Sequence, residues 1–322
     1  MRSDDREILF TRHFDASPNL VWRAWTDSDV LGEWWGPDGF TTTTHSMDFR
    51  VDGQWRFDMI GPDKRVYSNL ITYQDIVENE RLVYAHTGVD NTDDVAFTAI
   101  VTFDRTDTGT KLTLRMVFPS KEDRDRVCRE YGAVDGGIQH VANLAAYLAP
   151  GSDAVSNVLT IALPNEHDII FSRNFDAPRD LVWKAMTDPD MLRQWVFLPP
   201  GWEMTMCEDE HRVDGSFRRE WKHPHGDMAV HGTYAEFQPP ERLVRSEIFD
   251  MGCDAPMADE IATLVLTELA TERGTITNMH MTFRYTSQAA RDGALKSGMD
   301  RGMEAGYRNL DGLFAETHHA RG

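Results

Sequence analysis

The sequence predicts an α+β chain of two tandem domains, each a curved seven-stranded antiparallel sheet wrapped round a long C-terminal helix. Three observations carry this. The 322 residues contain one long motif twice. Each copy shows a strand, two short helices, six further strands and one long helix, an order that belongs to antiparallel α+β domains. Finally, one amphipathic helix cannot cover both faces of a seven-stranded sheet, so the sheet must curl round it and leave a gap between the two.

The repeat is direct. Phe14-Asp15-Ala16-Ser17-Pro18-Asn19-Leu20-Val21-Trp22-Arg23-Ala24-Trp25-Thr26-Asp27 returns 161 positions later as Phe175-Asp176-Ala177-Pro178-Arg179-Asp180-Leu181-Val182-Trp183-Lys184-Ala185-Met186-Thr187-Asp188, identical at nine of fourteen positions. Chance at ordinary composition gives about one. Leu31 and Trp34 recur as Leu192 and Trp195, Val51-Asp52-Gly53 as Val213-Asp214-Gly215, and Glu80-Arg81-Leu82-Val83 as Glu241-Arg242-Leu243-Val244. This places the first domain at 1–149, a linker at 150–167 with an extra strand within Val158–Leu163, and the second domain at 168–317.

In the first copy, Glu7–Phe14 alternates apolar and polar residues and predicts a strand. Pro18 opens a helix to about Asp27, and Asp29–Trp35 predicts a second, short one. Strands follow at Phe40–Phe49, Gln54–Ile60, Val66–Val77, Arg81–Thr87, Val95–Asp104 and Lys111–Phe118. Asp52-Gly53 suits a tight hairpin and Asp107-Thr108-Gly109 another. Ser120 caps the long helix, whose apolar stripe runs through Val127, Tyr131, Val134, Ile138, Val141, Ala145 and Leu148. Gly132, Gly136 and Gly137 interrupt it and suggest a kink or break before the final turns. The second copy repeats the plan, with its last helix from about Ser287 to Glu316. Gly298, Gly302 and Gly306 recur there every fourth residue, a smooth stripe that suggests close approach by a neighbour.

Composition narrows the function. Against 33 Lys and Arg stand 53 Asp and Glu, a formal charge of −20 that disfavours nucleic acid and anionic membranes as partners. No apolar run reaches the roughly 18 residues needed to span a bilayer, and the N-terminus has no signal-peptide core, so a cytoplasmic location is expected. Cys128, Cys207 and Cys253 are too few and too scattered for a disulfide framework. His211, His223, His225 and His231 fit no zinc spacing, so no metal is expected. Nucleotide loops, dinucleotide fingerprints and nucleophile elbows do not occur, and no cofactor is expected.

Phe14-Asp15-Ala16 with Leu20-Val21-Trp22, then Leu31-Gly32-Glu33-Trp34-Trp35-Gly36-Pro37, resembles the opening of the START-like SRPBCC superfamily, in the branch named after the activator of the heat-shock chaperone ATPase. Val213-Asp214-Gly215 and Pro239-Pro240-Glu241-Arg242-Leu243-Val244 resemble later signatures of that branch. The resemblance covers nearly the whole chain, twice. It implies the helix-grip fold and a cavity between sheet and helix. Relatives are similar to lipid carriers, polyketide cyclases and aromatases, hormone receptors, and self-sacrifice resistance proteins of enediyne producers, so the fold leaves function open. Chaperone activators of this type carry a further N-terminal domain with an Asn-x-Trp-His-Trp motif. That motif is not in this sequence, which sets chaperone interaction aside.

Strand parity then names candidate ligand-binding residues. In the first copy they are Trp34, Trp55, Phe57, Tyr84, His86, Phe97, Met116 and Ile138. In the second they are Trp195, Phe217, Arg219, Trp221, Met281 and Met303, with Met279 and Met299 beside the last two. Core filling is the competing reading for all of them, and for Trp34 and Trp35 a core anchor competes with a lid at the pocket mouth. Arg245 and Glu247 stand where the first copy has Tyr84 and His86, and Arg219 stands where it has Phe57. Three ionisable groups would then face inward. Pairing of Glu247 with Arg245 or Arg219, neutralisation by ligand, and a one-residue register slip are the open solutions.

Tyr84 with His86, or Arg245 with Glu247, are the candidate proton-transfer pairs for a cyclase, which needs mainly a shaped cavity and one such group. The sequence leans towards binding of a small hydrophobic or aromatic, polyketide-like metabolite without chemistry. A polyketide cyclase or aromatase, and a self-sacrifice protein reacting through a glycine Cα–H, are the alternatives. A second copy of the chain is a further candidate partner.

Overall fold

The computed structural model describes residues 5–89, 95–149, 157–196, 201–250, 257–271 and 274–319. Its contacts divide the chain into Met1–Glu166 and His167–Gly322. Cys253 lies outside the described residues.

Unit 1 begins with β1 (Glu7–Phe14), α1 (Pro18–Thr26) and α2 (Ser28–Trp34). A meander follows: β2 (Thr41–Met47), β3 (Gln54–Ile60), β4 (Val66–Val77), β5 (Arg81–Gly88), β6 (Phe97–Thr106) and β7 (Gly109–Val117). It closes with α3 (Lys121–Tyr131), α4 (Ala133–Leu148) and β8 (Thr160–Leu163). Neighbouring strands are antiparallel, and β1 returns to pair with β7. Residues Thr160–Leu163, read from sequence as part of a linker, pair with Arg12–Leu9 of β1. They add an eighth strand to this sheet.

Unit 2 repeats the order: β9 (Asp168–Phe175), α5 (Arg179–Thr187), α6 (Pro189–Trp195), β10 (Glu203–Asp209), β11 (Ser216–His223), β12 (Gly226–Gln238) and β13 (Arg242–Asp250). Then come β14 (Met257–Thr271), β15 (Gly274–Tyr285), α7 (Gln288–Lys296) and α8 (Met299–His319). Its seven strands are joined antiparallel, with β9 beside β15.

Local chemistry explains these boundaries. Pro18 starts α1 because its fixed φ suits the first helical position and its missing N–H is not needed there. Asp27 and Asp188 cap α2 and α6, accepting from Asp29 N at 3.1 Å and Asp190 N at 2.9 Å. Ser120 and Ser287 cap α3 and α7, accepting from Asp123 N at 3.1 Å and Ala290 N at 3.2 Å. In both Val-Asp-Gly turns the aspartate takes the left-handed conformation, φ 63° at Asp52 and 61° at Asp214.

The long C-terminal helix is broken in both units, where the sequence suggested a kink or break in the first copy and an unbroken helix in the second. Gly132 (φ 61°) separates α3 from α4, and Gly298 (φ 89°) separates α7 from α8, each in a conformation that disfavours other residues. The break takes Tyr131 off the apolar stripe and leaves it 49% exposed. Val127, Ile138, Val141 and Ala145 stay buried. Along the glycine stripe of the second copy, a Cβ at Gly298 would lie 2.9 Å from the Arg301 guanidinium, one at Gly302 would meet no atom within 4 Å, and Gly306 is buried. In unit 1 a Cβ at Gly137 would lie 2.2 Å from the Phe10 ring. No helix among the described residues is long and apolar enough to cross a membrane.

Candidate functional site

The inner face of unit 1 is a continuous aromatic cluster. Trp34 and Trp35, at the end of α2, meet Trp25 of α1 at ring distances of 5.2 and 5.6 Å. Trp35 stands edge-on to Trp55 at 4.8 Å, and Trp55 stacks on Phe57 at 4.0 Å. The Trp34 indole N–H donates to the Ala24 carbonyl at 2.9 Å, and Trp195 repeats the bond in unit 2 to Ala185 at 2.8 Å. The repeated tryptophan is therefore an anchor between the two short helices. Both Trp34 and Trp35 also line an open cleft of about 490 Å³, with Phe40, Asn143 and Tyr147.

His140 of α4 completes this cluster and was not anticipated from sequence. Its ring lies 4.7–5.5 Å from Trp25, Trp34 and Trp35, and Nδ1 accepts from Gly36 N at 3.2 Å. Burial drives its pKa down to about 3, so it is neutral. The signal available was its helical spacing from Gly136 and Asn143, which places it on the face towards α2.

Further along the sheet, Tyr84 and His86 share the inner face of β5. Burial pushes the Tyr84 hydroxyl up and takes His86 down to about 4, partly offset by a hydrogen bond to the Val95 backbone. The His86 ring stacks on Phe97 at 4.6 Å, and Phe97 meets Phe118 at 5.6 Å. His86 Nδ1 is buried without a hydrogen-bond partner. Met116 is half-buried at the same end of the sheet, opposite Ile8 and Ala99, and Ile138 is buried on α4.

Unit 2 has the same frame with different chemistry. Arg219, Arg245 and Glu247 are 8%, 7% and 5% exposed, so no register slip turns them to solvent. Arg245 grips Glu247 Oε1 through Nε at 2.7 Å and a terminal nitrogen at 2.6 Å. Arg219 turns instead towards Asp209 Oδ2 at 3.5 Å. The Tyr234 hydroxyl donates to the same carboxylate at 2.8 Å. Phe217 lies between the two guanidinium groups, 4.6 Å from Arg245 and 5.2 Å from Arg219. Burial pulls Arg245 down, but Glu247 and Tyr234 hold it above the usual range.

Sequence reasoning missed Glu260. It faces inward from β14 at 3% exposure, directly opposite Glu247 on β13 and Tyr285 on β15. Parity with buried Ala262, Leu264 and Leu266 was the available signal. Burial first, then the charge of Glu247, push its pKa up to about 8. Glu260 Oε1, Trp221 Nε1 and Arg219 Nε are buried without partners. The Tyr285 hydroxyl also reaches Met299 Sδ at 3.4 Å. Met279 and Met281 are buried, whereas Met303 and Met299 are half-buried on α8. Trp195 stacks on Tyr307 of α8 at 5.7 Å.

The remaining histidines are dispersed. His211 meets Asp209 at 3.3 Å, while His223 stacks on Trp202 at 5.3 Å in the β11–β12 hairpin. Among the described residues no group of three or more His, Cys, Asp or Glu is placed to hold a metal. Cys128 and Cys207 are free thiols, and burial pushes both upward in pKa.

In each unit an antiparallel meander followed by a C-terminal helix broken in two defines an α+β protein of the helix-grip class. The chain belongs to the family described as Activator of Hsp90 ATPase homolog 1-like protein, whose model matches residues 15–149 and 176–315. The match agrees with the superfamily branch that the repeated motifs resemble. Similar solved structures include a Rhodobacter sphaeroides protein, 33% identical, covering 47% of this chain and 94% of its own, with a TM-score of 0.41. An Arthrobacter aurescens protein is 23% identical over 47% of this chain and 91% of its own, TM-score 0.44. The AHSA1 protein of Silicibacter pomeroyi is 18% identical over 44% and 97%, TM-score 0.37. Among curated proteins, none matches.

Proposed function

We propose that this chain binds small hydrophobic, aromatic molecules with one or two polar groups, polyketide-like in character, between the sheet and C-terminal helix of each unit. One observation supports the reading above the rest. The equivalent inner row of each sheet carries a buried polar atom without a partner, His86 Nδ1 in unit 1 and Glu260 Oε1 in unit 2. Leaving such an atom unpaired costs about 1–3 kcal/mol, and a ligand's polar group lying on the aromatic inner face removes that cost. The surrounding rings supply the apolar contact.

Titration of the full chain with 1-naphthol, followed by tryptophan fluorescence, tests this. Saturable quenching is expected, weakened about tenfold by His86→Ala, which removes one hydrogen-bonded contact. Quenching that rises linearly with no plateau would refute the reading.

A further inference from the structure

In unit 1 the row is His86 of β5, Phe97 of β6 and Phe118 just past the end of β7, an aromatic ladder. In unit 2 the same row is Glu247, Glu260 and Tyr285. The substitution changes the charge balance of the interior. Arg245 neutralises Glu247 and Arg219 neutralises Asp209, on which Tyr234 and the half-exposed His211 also converge. From the neighbouring strand and helix, Arg173 is held by Asp311 at 2.7 Å, and Tyr307 presents a phenol.

Glu260 has Tyr285 and Glu247 beside it and no cation of its own. Two guanidinium groups thus serve three carboxyls, Asp209, Glu247 and Glu260, and the set lacks one positive charge. A buried charge left unbalanced is too costly to keep. A proton fills the deficit at neutral pH, consistent with the raised pKa of Glu260. An external cation can replace that proton without altering the buried net charge. Glu260 Oε1 offers it an open acceptor. On α8 the Tyr285 hydroxyl meets Met299 Sδ at 3.4 Å, and a Cβ at Gly302 would meet nothing within 4 Å.

We propose that Glu260, together with Glu247, forms a subsite in unit 2 for the protonated nitrogen of a small aromatic ligand, an ammonium or amidinium group, whose arrival releases the proton held by the carboxyl pair to solvent. This rests on the binding function proposed above and names the ligand class of one unit. The one bond that breaks is the carboxyl O–H, whose proton passes to water or buffer, and the cation takes its place beside the carboxylate.

The probes are benzamidine, a cation throughout the neutral range, and benzamide, its neutral isostere. Calorimetry of the full chain at pH 7, in two buffers of different ionisation heat, should show about one proton released per benzamidine bound. Affinity should rise about tenfold per pH unit from 6 towards 8 and then level off. Glu260→Gln should abolish the proton release and weaken benzamidine at least tenfold, with benzamide unaffected. The wild-type proton count stands by itself should that variant fold poorly. Equal binding of both probes with no proton release would overturn the cation subsite and leave the binding function intact. Binding of neither probe, with no saturable 1-naphthol quenching, would overturn both.

Discussion

Glu260→Gln also gives the sharpest test of the buried charge balance through stability. The folded protein holds the Glu260 proton up to a pKa of about 8, against a reference value of 4.5. A folded pKa above the unfolded one means stability is fully present below 4.5 and lost as pH rises towards 8. The difference of about 3.5 units corresponds to at most about 5 kcal/mol. Glutamine keeps the shape and the neutral state but carries no proton to lose. The variant should therefore match wild type within about 1 kcal/mol at pH 5 and exceed it by several kcal/mol at pH 8.5. For a unit of this size each kcal/mol moves Tm by about 2–4 °C, so the Tm gap should open by about 10 °C. Differential scanning calorimetry of the full chain across this range reads it. A Tm difference that stays constant from pH 5 to pH 8.5 would refute the claim that Glu260 is buried as the acid.

Other expectations follow from the same geometry. Unit 1 should respond to acid in the opposite sense: His86 and His140 have pKa values lowered to about 4 and about 3, so their stability contribution is present above the reference 6.5 and lost as pH falls through those values. Imidazole NMR signals that titrate near 6.5 would contradict this. Glu247→Gln strands Arg245 and should cost about 3–5 kcal/mol in urea unfolding, whereas the double change Arg245→Met, Glu247→Leu should recover most of it. Trp34→Phe and Trp195→Phe each leave a carbonyl unpaired and should each lose about 1–3 kcal/mol by denaturant midpoint; a neutral result in either unit would break the equivalence. Gly137→Ala drives a methyl into Phe10 and should destabilise by about 1–3 kcal/mol despite alanine's better helix propensity, with Phe10→Leu restoring part of the loss.

What holds these interiors together differs between the copies, although the frames agree. Unit 1 fills its inner face with indole, phenyl and neutral imidazole rings, whose edge-on and stacked contacts add to area burial. Unit 2 keeps the tryptophan anchor and replaces the centre with ion pairs flanking Phe217. Such a core is an expensive way to gain stability, since well-packed apolar residues do as well or better.

The amino-acid sequence by itself determined the duplication, the strand–helix–meander–helix order, and the inward direction of Trp55, Tyr84 and His86, while it left a register slip open at Arg219 and Glu247 that burial then closed. All of these rest on local regularities, identity at a fixed offset or alternation at period two, that need no knowledge of neighbours. The sheet alone decided the rest. Arg219 and Arg245 were equally placed on paper to meet Glu247; strand register gave Glu247 to Arg245 and Arg219 to Asp209. Glu260 and Tyr285 became members of one row with Glu247 only through the pairing of β13, β14 and β15, residues far apart along the chain. The helix break at Gly298 likewise depended on a left-handed backbone that a four-residue glycine spacing does not reveal. Side-chain direction is set by the nearest peptide units, whereas the company a buried charge keeps is set by which strands hydrogen-bond, and that is a property of the folded whole.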